Sequence, residues 1–338
     1  MALPSFSYGS DDSGLVWGFL VGEGGVTTTI DAPAAIARMA QPEPEPGQFV
    51  WLHFNLSNAA SERWLRAHAA LEENFYEALH QGSRSTRIEV ADEALVAVVN
   101  DVLHNFSFDS ADISTLWVHV TPHGVISARR KPLESIERLR QAVERGEVLR
   151  SPVELLNHLL RDQADVLVKI VREAGTRVDT IEDHLLAGRL TRKREDLGAL
   201  RRVLVRLQRL LAPEPAALFR LLQRPPPWID VDDRQDLRQA TEEFAVVLTD
   251  LTSLQERIKL LQEEIAAQVS EDNGRSLFVL TIVTVTALPI NLVAGLLGMN
   301  VGGIPLAQHA QGFWIVLACT GLLTGTLAWL LLRLQRSR

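Results

Sequence analysis

The sequence predicts an α/β N-terminal cytosolic domain, a long helical stalk and two C-terminal transmembrane helices. Three observations carry this expectation. The β-rich segments all lie before about Arg130. From Pro132 onward apolar residues recur at helical period. Two apolar runs without a charged residue then close the chain, Leu277–Leu297 (LFVLTIVTVTALPINLVAGLL) and Phe313–Leu332 (FWIVLACTGLLTGTLAWLLL). Each is close to the ~20 residues a helix needs to cross a bilayer. The expected divisions are 1–131 for the cytosolic α/β domain, 132–275 for the stalk with its long helix, and 276–338 for the membrane hairpin.

In the first division, Leu15–Val21, Phe49–Leu56, Glu93–Val102 and Leu116–Arg129 read as strands, rich in β-branched and aromatic residues. The last reads as a hairpin turning at Thr121-Pro122-His123-Gly124. Ser61–Gln81 reads as one helix with Ser61 as its cap, and the run Pro42–Gly47 (PEPEPG) as a loop. In the second division, Leu133–Leu149, Pro152–Leu186 and Leu190–Leu211 read as helices. Pro213, Pro215 and Pro225-Pro226-Pro227 are expected to break the chain, and a long helix restarts near Val231. Along it Phe244, Val247, Leu251, Leu254, Ile258, Leu261 and Ile265 alternate steps of three and four, a heptad seam. The seam is expected to pack on the two preceding helices of the same subunit. No proline separates Asp232 from Val285, so the helix is expected to run unbroken into the first apolar run.

The composition narrows the function. Thirty-four Lys and Arg against 42 Asp and Glu give a net charge of −8, a poor match for nucleic acid. The single cysteine, Cys319, excludes an intrachain disulfide. Met1–Asp12 has neither the basic start nor the apolar core of a signal peptide. Arg275 precedes the first run, and Arg333, Arg336 and Arg338 follow the second, while the connecting Val301–Gly312 carries no Lys or Arg. By the positive-inside rule both termini are expected in the cytoplasm, and Trp314 and Trp329 are placed as interfacial aromatics. Neither a phosphate-cradling glycine loop nor a nucleophile elbow occurs, so the expectation is not an enzyme. His80, His119, His123, His158 and His184 are scattered and give no preferred zinc site.

A two-span subunit cannot enclose a pathway alone, but several copies around an axis can. Leu277, Thr281, Thr284, Leu288, Asn291, Gly295 and Gly298 fall on one helical face, at steps of four and three. A carboxamide at Asn291 facing lipid would be left unsatisfied, which favours a water-filled pore; helix–helix contact through small residues and threonines is the alternative. Followed backwards, the face passes through Gly274, Ser270, Ala267, Glu263, Leu260 and Glu256, away from the seam. Glu256 and Glu263 there would ring a hydrated cytosolic funnel and concentrate cations; an ordinary solvated acidic face fits equally. Pro289 removes a backbone donor and marks a gating bend or a packing kink.

Gly298-Met299-Asn300, between the two apolar runs, resembles the GMN signature of the CorA superfamily of divalent-cation channels and transporters. The continuation Val301-Gly302-Gly303-Ile304-Pro305 resembles the ZntB branch, described as zinc transporters. The resemblance implies a homopentameric funnel in a bacterial inner membrane, with the first span lining the pore and the second outside it. A ring of Asn300 amides at the outer mouth would hydrogen-bond the water shell of an ion such as Mg²⁺, which dehydrates reluctantly. The transported ion is expected to be Zn²⁺, with Mg²⁺, Co²⁺ or Ni²⁺ as the alternative cargo; no resident cofactor is implied. Zn²⁺ prefers His, Cys and carboxylate ligands, and the pore within the membrane has none; the outer loop offers only His309 as a titratable side chain, a candidate to bind zinc or sense pH as a ring of imidazoles, with a solvent-exposed loop histidine as the alternative. From other classes, a membrane-anchored scaffold or sensor predicts a first span without a polar face, and a tethered enzyme predicts a deep cytosolic pocket.

Overall fold

The computed structural model describes residues 9–41, 47–81, 86–91, 94–186, 193–299 and 309–336. They divide into two compact units, the first ending at Leu261 and the second beginning at Gln262.

The first unit holds a seven-stranded mixed sheet. In chain order its elements are β1 (Leu15–Val21), β2 (Thr27–Thr29), α1 (Ala32–Met39), β3 (Phe49–Asn55), α2 (Ala59–His68), α3 (Glu73–Gln81), β4 (Arg87–Ala91), β5 (Ala94–Val102), β6 (Ile113–Thr121) and β7 (Gly124–Arg129). The strand order is β2-β1-β3-β7-β6-β5-β4. Only β3 and β7 pair in parallel among these strands; β6 and β7 form the expected hairpin across Pro122-His123. Both faces of the sheet are covered, so the central strands are buried on both sides and mostly apolar rather than alternating, with His53, Asn100, Asp101, His119 and Ser127 among the buried polar exceptions. On β3, Phe49 and Trp51 join the core shared with the later helices, while Val50, Leu52 and Phe54 join the core under α1–α3.

Two expectations in this region are corrected. Ser61–Gln81 is two helices, not one, and the cap is Asn58, whose side chain accepts from Ala60 N at 3.0 Å. Ser61 is buried inside α2, and its hydroxyl donates to Asn55 O at 2.6 Å. It lies against Gly14, at φ +88°, where any Cβ would fall 1.9 Å from Ser61 Oγ; only glycine fits that approach.

The helices that follow are α4 (Glu134–Glu144), α5 (Pro152–Leu186), α6 (Lys193–Leu211), α7 (Pro213–Gln223), α8 (Val231–Leu297) and α9 (Gly312–Arg336). The first ends five residues earlier than its pattern to Leu149 suggested. Helix α6 ends at Leu211, so the expected break before Pro213 is met, but it is brief: Pro213 and Pro215 open a further helix, α7, where a missing N–H costs no intrahelical bond. The heptad seam of α8 is buried, from Phe244 (1% exposed) through Leu251 and Ile258 (both 0%). Beside it Gln208 of α6 reaches Thr252 at 2.7 Å, and Arg257 pairs with Asp179 of α5 at 2.7 Å and with Glu182. The seam thus faces the two long helices before it, as expected. Helix α8 continues without interruption through Pro289 to Leu297.

Candidate functional site

Two helices, α8 and α9, are long and apolar enough to cross a membrane. In the second unit, Leu277, Thr281, Thr284, Leu288, Asn291, Gly295 and Gly298 are all exposed. Phe278, Ile282, Val285, Pro289 and Val293 form a separate, half-buried row. At about 100° of rotation per residue the two rows lie roughly 120° apart around the helix. Thr281 Oγ1 donates to Leu277 O and Thr284 Oγ1 to Leu280 O, each at 2.8 Å. These hydroxyl hydrogens are committed to the helix itself, so the exposed oxygens offer lone pairs. The Asn291 carboxamide is exposed and has no hydrogen-bond partner among the described residues.

Gly298 N donates to Ala294 O at 2.9 Å and ends the helical ladder. A Cβ at this residue would sit 2.9 Å from that same carbonyl oxygen. The contact is with backbone, which cannot swing aside as a flexible side chain can. Met299 follows with its side chain exposed, and Asn300 lies outside the described residues. His309 stands just before α9. Its Nδ1 accepts from Gln311 N at 3.3 Å and its carbonyl from Gly312 N at 2.9 Å, an arrangement that caps the second span.

The backward continuation of the face is exposed as well. Glu256, with Lys259 Nζ 3.7 Å away, and Leu260 belong to the first unit. Glu263, Ser270 and Gly274 are exposed in the second. Helix α8 therefore carries a buried apolar seam and, on another side, this exposed mixed row.

In the first unit a cleft of about 400 Å³ opens beside the β6–β7 turn. At its floor His119 Nε2 meets Glu72 Oε2 at 2.6 Å, while Arg38, His68 and His123 line its sides. Burial lowers the His119 pKa against the opposing pull of Glu72. His119 and His123 thus line one cleft, although a turn separates them in the chain. No cluster of three or more His, Cys, Asp or Glu suited to a metal occurs among the described residues.

The sequence reading missed a buried polar cluster. Thr86, Asn100, Asp101, Gln163 and Glu214 are each no more than 5% exposed. Asp101 accepts from Ser135 N at 2.9 Å and Ser135 Oγ at 3.0 Å, and burial pushes its carboxyl up to about 6. The available signal was weak: Pro213-Glu214-Pro215 places an acidic residue at a helix start, where exposed carboxylates are also common. A second charged group stands alone in sequence but not in space. His158 meets Glu147 at 2.7 Å and Asp162 at 3.3 Å. Its hydrogen bond to Asp162, with help from Glu147, raises its pKa to about 9.

The family model described as "CorA-like Mg2+ transporter protein" matches residues 46–333. The chain is 30% identical over 335 residues to the divalent cation transporter CmaX of Pseudomonas aeruginosa, covering 96% of this chain and 97% of that protein. It is 25% identical to the zinc transport protein ZntB of Yersinia enterocolitica, over 87% of each chain. The solved structure of a full-length CmaX protein superposes with a TM-score of 0.81 at 27% identity, covering 97% of this chain and 99% of that one.

Proposed function

This chain belongs to the CorA-like Mg²⁺ transporter family, and on that premise we propose that it carries Zn²⁺ through a pore built from several copies of α8. It is a membrane protein with two C-terminal spans, its family transports divalent cations, and it is not an enzyme. The finer reading is a homopentamer in a bacterial inner membrane, with both termini cytoplasmic, α8 lining the axis and α9 outside it. Gly298, Met299 and Asn300 form the outer constriction, with Asn300 holding the ion through its water shell. Leu277, Thr281, Thr284, Leu288, Asn291 and Gly295 line the pore. Glu256, Glu263, Ser270 and Gly274 line the cytosolic funnel, and Pro289 is the site of a gating bend. Residues 1–131 are the cytosolic α/β domain, 132–275 the helical stalk with its long pore helix, and 276–338 the two-helix membrane domain with the GMN loop.

One observation carries the pore reading: an exposed row in which polar and small residues are interrupted by Leu260, Leu277 and Leu288 keeps a four-three spacing along α8 from Glu256 to Gly298. A membrane anchor has no use for Asn291 on that row. The zinc assignment rests on the residues after Asn300 and on the similarity to zinc transport proteins. Within the span, from Leu277 to Gly298, the row contains no His, Cys or carboxylate, which is consistent with passage of a hydrated ion.

Flux into proteoliposomes, with Zn²⁺ and Mg²⁺ compared side by side, tests both parts. Zinc flux that exceeds magnesium flux and collapses in Asn300→Ala is the expected result. Magnesium flux of equal or greater size would replace zinc with a general divalent channel. An oligomeric, folded protein that carries neither ion would return the scaffold reading.

A further inference from the structure

The buried cluster beneath α7 is short of one hydrogen-bond donor. Glu214 and Gln163 are 0% and 3% exposed. Glu214 Oε2 accepts from Gln163 Nε2 at 3.3 Å and lies 3.5 Å from Thr86 Oγ1. Gln163 Nε2 also donates to Asn100 O at 2.6 Å, Thr86 Oγ1 to Leu210 O at 3.1 Å, and Asn100 Nδ2 to Thr86 Oγ1 at 3.3 Å. Two oxygens remain, Glu214 Oε1 and Gln163 Oε1, and both are buried without a partner among the described residues. Both are acceptors, so neither can satisfy the other.

Ionised Glu214 would make this arrangement worse. Its hydrogen-bonding neighbours Gln163 and Thr86 are neutral, and a buried charge without a counter-charge is strongly disfavoured. The charges acting here are negative: Asp101 on Glu214, and Glu134 of α4 on Asp101. Glu134 is itself held by Arg138 and His104, each at 2.9 Å. The N-terminal dipole of α7 favours an anion at Glu214, but this is a partial charge set against burial of a whole one. Burial and Asp101 together push the Glu214 carboxyl well above its usual range.

One hydrogen resolves the chemistry. A protonated carboxyl carries an O–H donor and no net charge. Placed on Oε1, that donor serves the unpartnered Gln163 oxygen while Oε2 keeps its bond from Gln163 Nε2, giving a two-point acid–amide pair. We propose that Glu214 and Gln163 form a buried proton-binding site that fastens the start of α7 to α5 and β5 while the proton is bound. When the proton leaves as H⁺, a carboxylate and an amide oxygen are left together without a donor, and the first turn of α7, which carries Glu214, loosens. The site is independent of the pore reading, since every residue in it lies in the first unit.

Infrared spectroscopy of the purified full-length protein reads the proton directly. A protonated-carboxyl band is expected near neutral pH, retained in Asp101→Asn and lost in Glu214→Gln. The thermal midpoint of the wild type should fall by several degrees more than that of Glu214→Gln between about pH 6 and about pH 9, because Gln keeps the donor and cannot ionise. Absence of the band in the wild type, its survival in Glu214→Gln, or parallel midpoints for the two proteins would overturn the proposal. Should Glu214→Gln fail to fold, Gln163→Met supplies a second reading. It keeps the carboxyl and removes its amide partner, so the band should remain and move in frequency; an unmoved band would also overturn the site.

Discussion

Ile258 and Leu260 are both aliphatic and two residues apart on α8, yet they belong to different rows. Ile258 is 0% exposed in the seam; Leu260 is 62% exposed on the row that includes Glu256. Ile258→Ala removes three buried carbons and leaves a cavity beside α5 and α6, a loss of about 2–5 kcal/mol. For a domain of this size that lowers the thermal midpoint by roughly 5–15 °C. Leu260→Ala removes side-chain atoms that are already mostly hydrated and should change stability by no more than about 0.5 kcal/mol. The assay is thermal unfolding of the detergent-solubilised protein, followed by tryptophan fluorescence, with ion flux measured on the same preparations. Equal loss of stability in the two variants, or a neutral Ile258→Ala, would refute the division of α8 into a packing side and an open side.

Three further outcomes follow from the same structure. Gly298→Ala brings a methyl to 2.9 Å from Ala294 O; overpacking of about 1–3 kcal/mol at the helix end should cut flux severely while the variant still elutes at the size of the wild type. Glu256→Gln with Glu263→Gln should lower flux at least about threefold at low ionic strength, and the difference should shrink in high salt as the Debye length contracts. The pKa of His158 is raised from 6.5 to about 9 in the folded protein, so its protonation stabilises the fold fully below about pH 6.5, and that contribution is lost as pH rises through about 9. His158→Gln should therefore be less stable than the wild type near pH 6 and match it near pH 10, as read by denaturant midpoints across that window.

The elements legible in the sequence were those whose pattern is long or whose turn chemistry is strong. The β6–β7 hairpin turned where Pro122-His123 stand, and the seam from Phe244 to Ile265 is buried along its length. Strands β2 and β4 escaped notice because they are the sheet edges. Thr27–Thr29 is three residues long, and Arg87–Ala91 mixes charge with apolar residues, so neither gives a clear period of two. Helix α1 was hidden by its length of eight residues and by Pro33, which sits in its first turn under the Asp31 cap. At Pro213 the helical run does stop, and what the sequence hid is the new helix that opens on the same proline. The pore candidates came from spacing and from the GMN resemblance. The Glu214 cluster could not, because a polar residue in a sequence reads as exposed until the packing around it is known.

The threonines of α8 have a consequence for the sign of the ion. Thr281 and Thr284 spend their hydroxyl hydrogens on their own helix, so the row presents lone pairs and no donors from these side chains. The water shell of a cation points its hydrogens outward and finds acceptors along such a wall. Each water around an anion turns one hydrogen inward, so that shell has fewer hydrogens to offer the same wall. A passage lined in this way distinguishes positive from negative cargo without any charged residue, and it does so while the ion keeps its water.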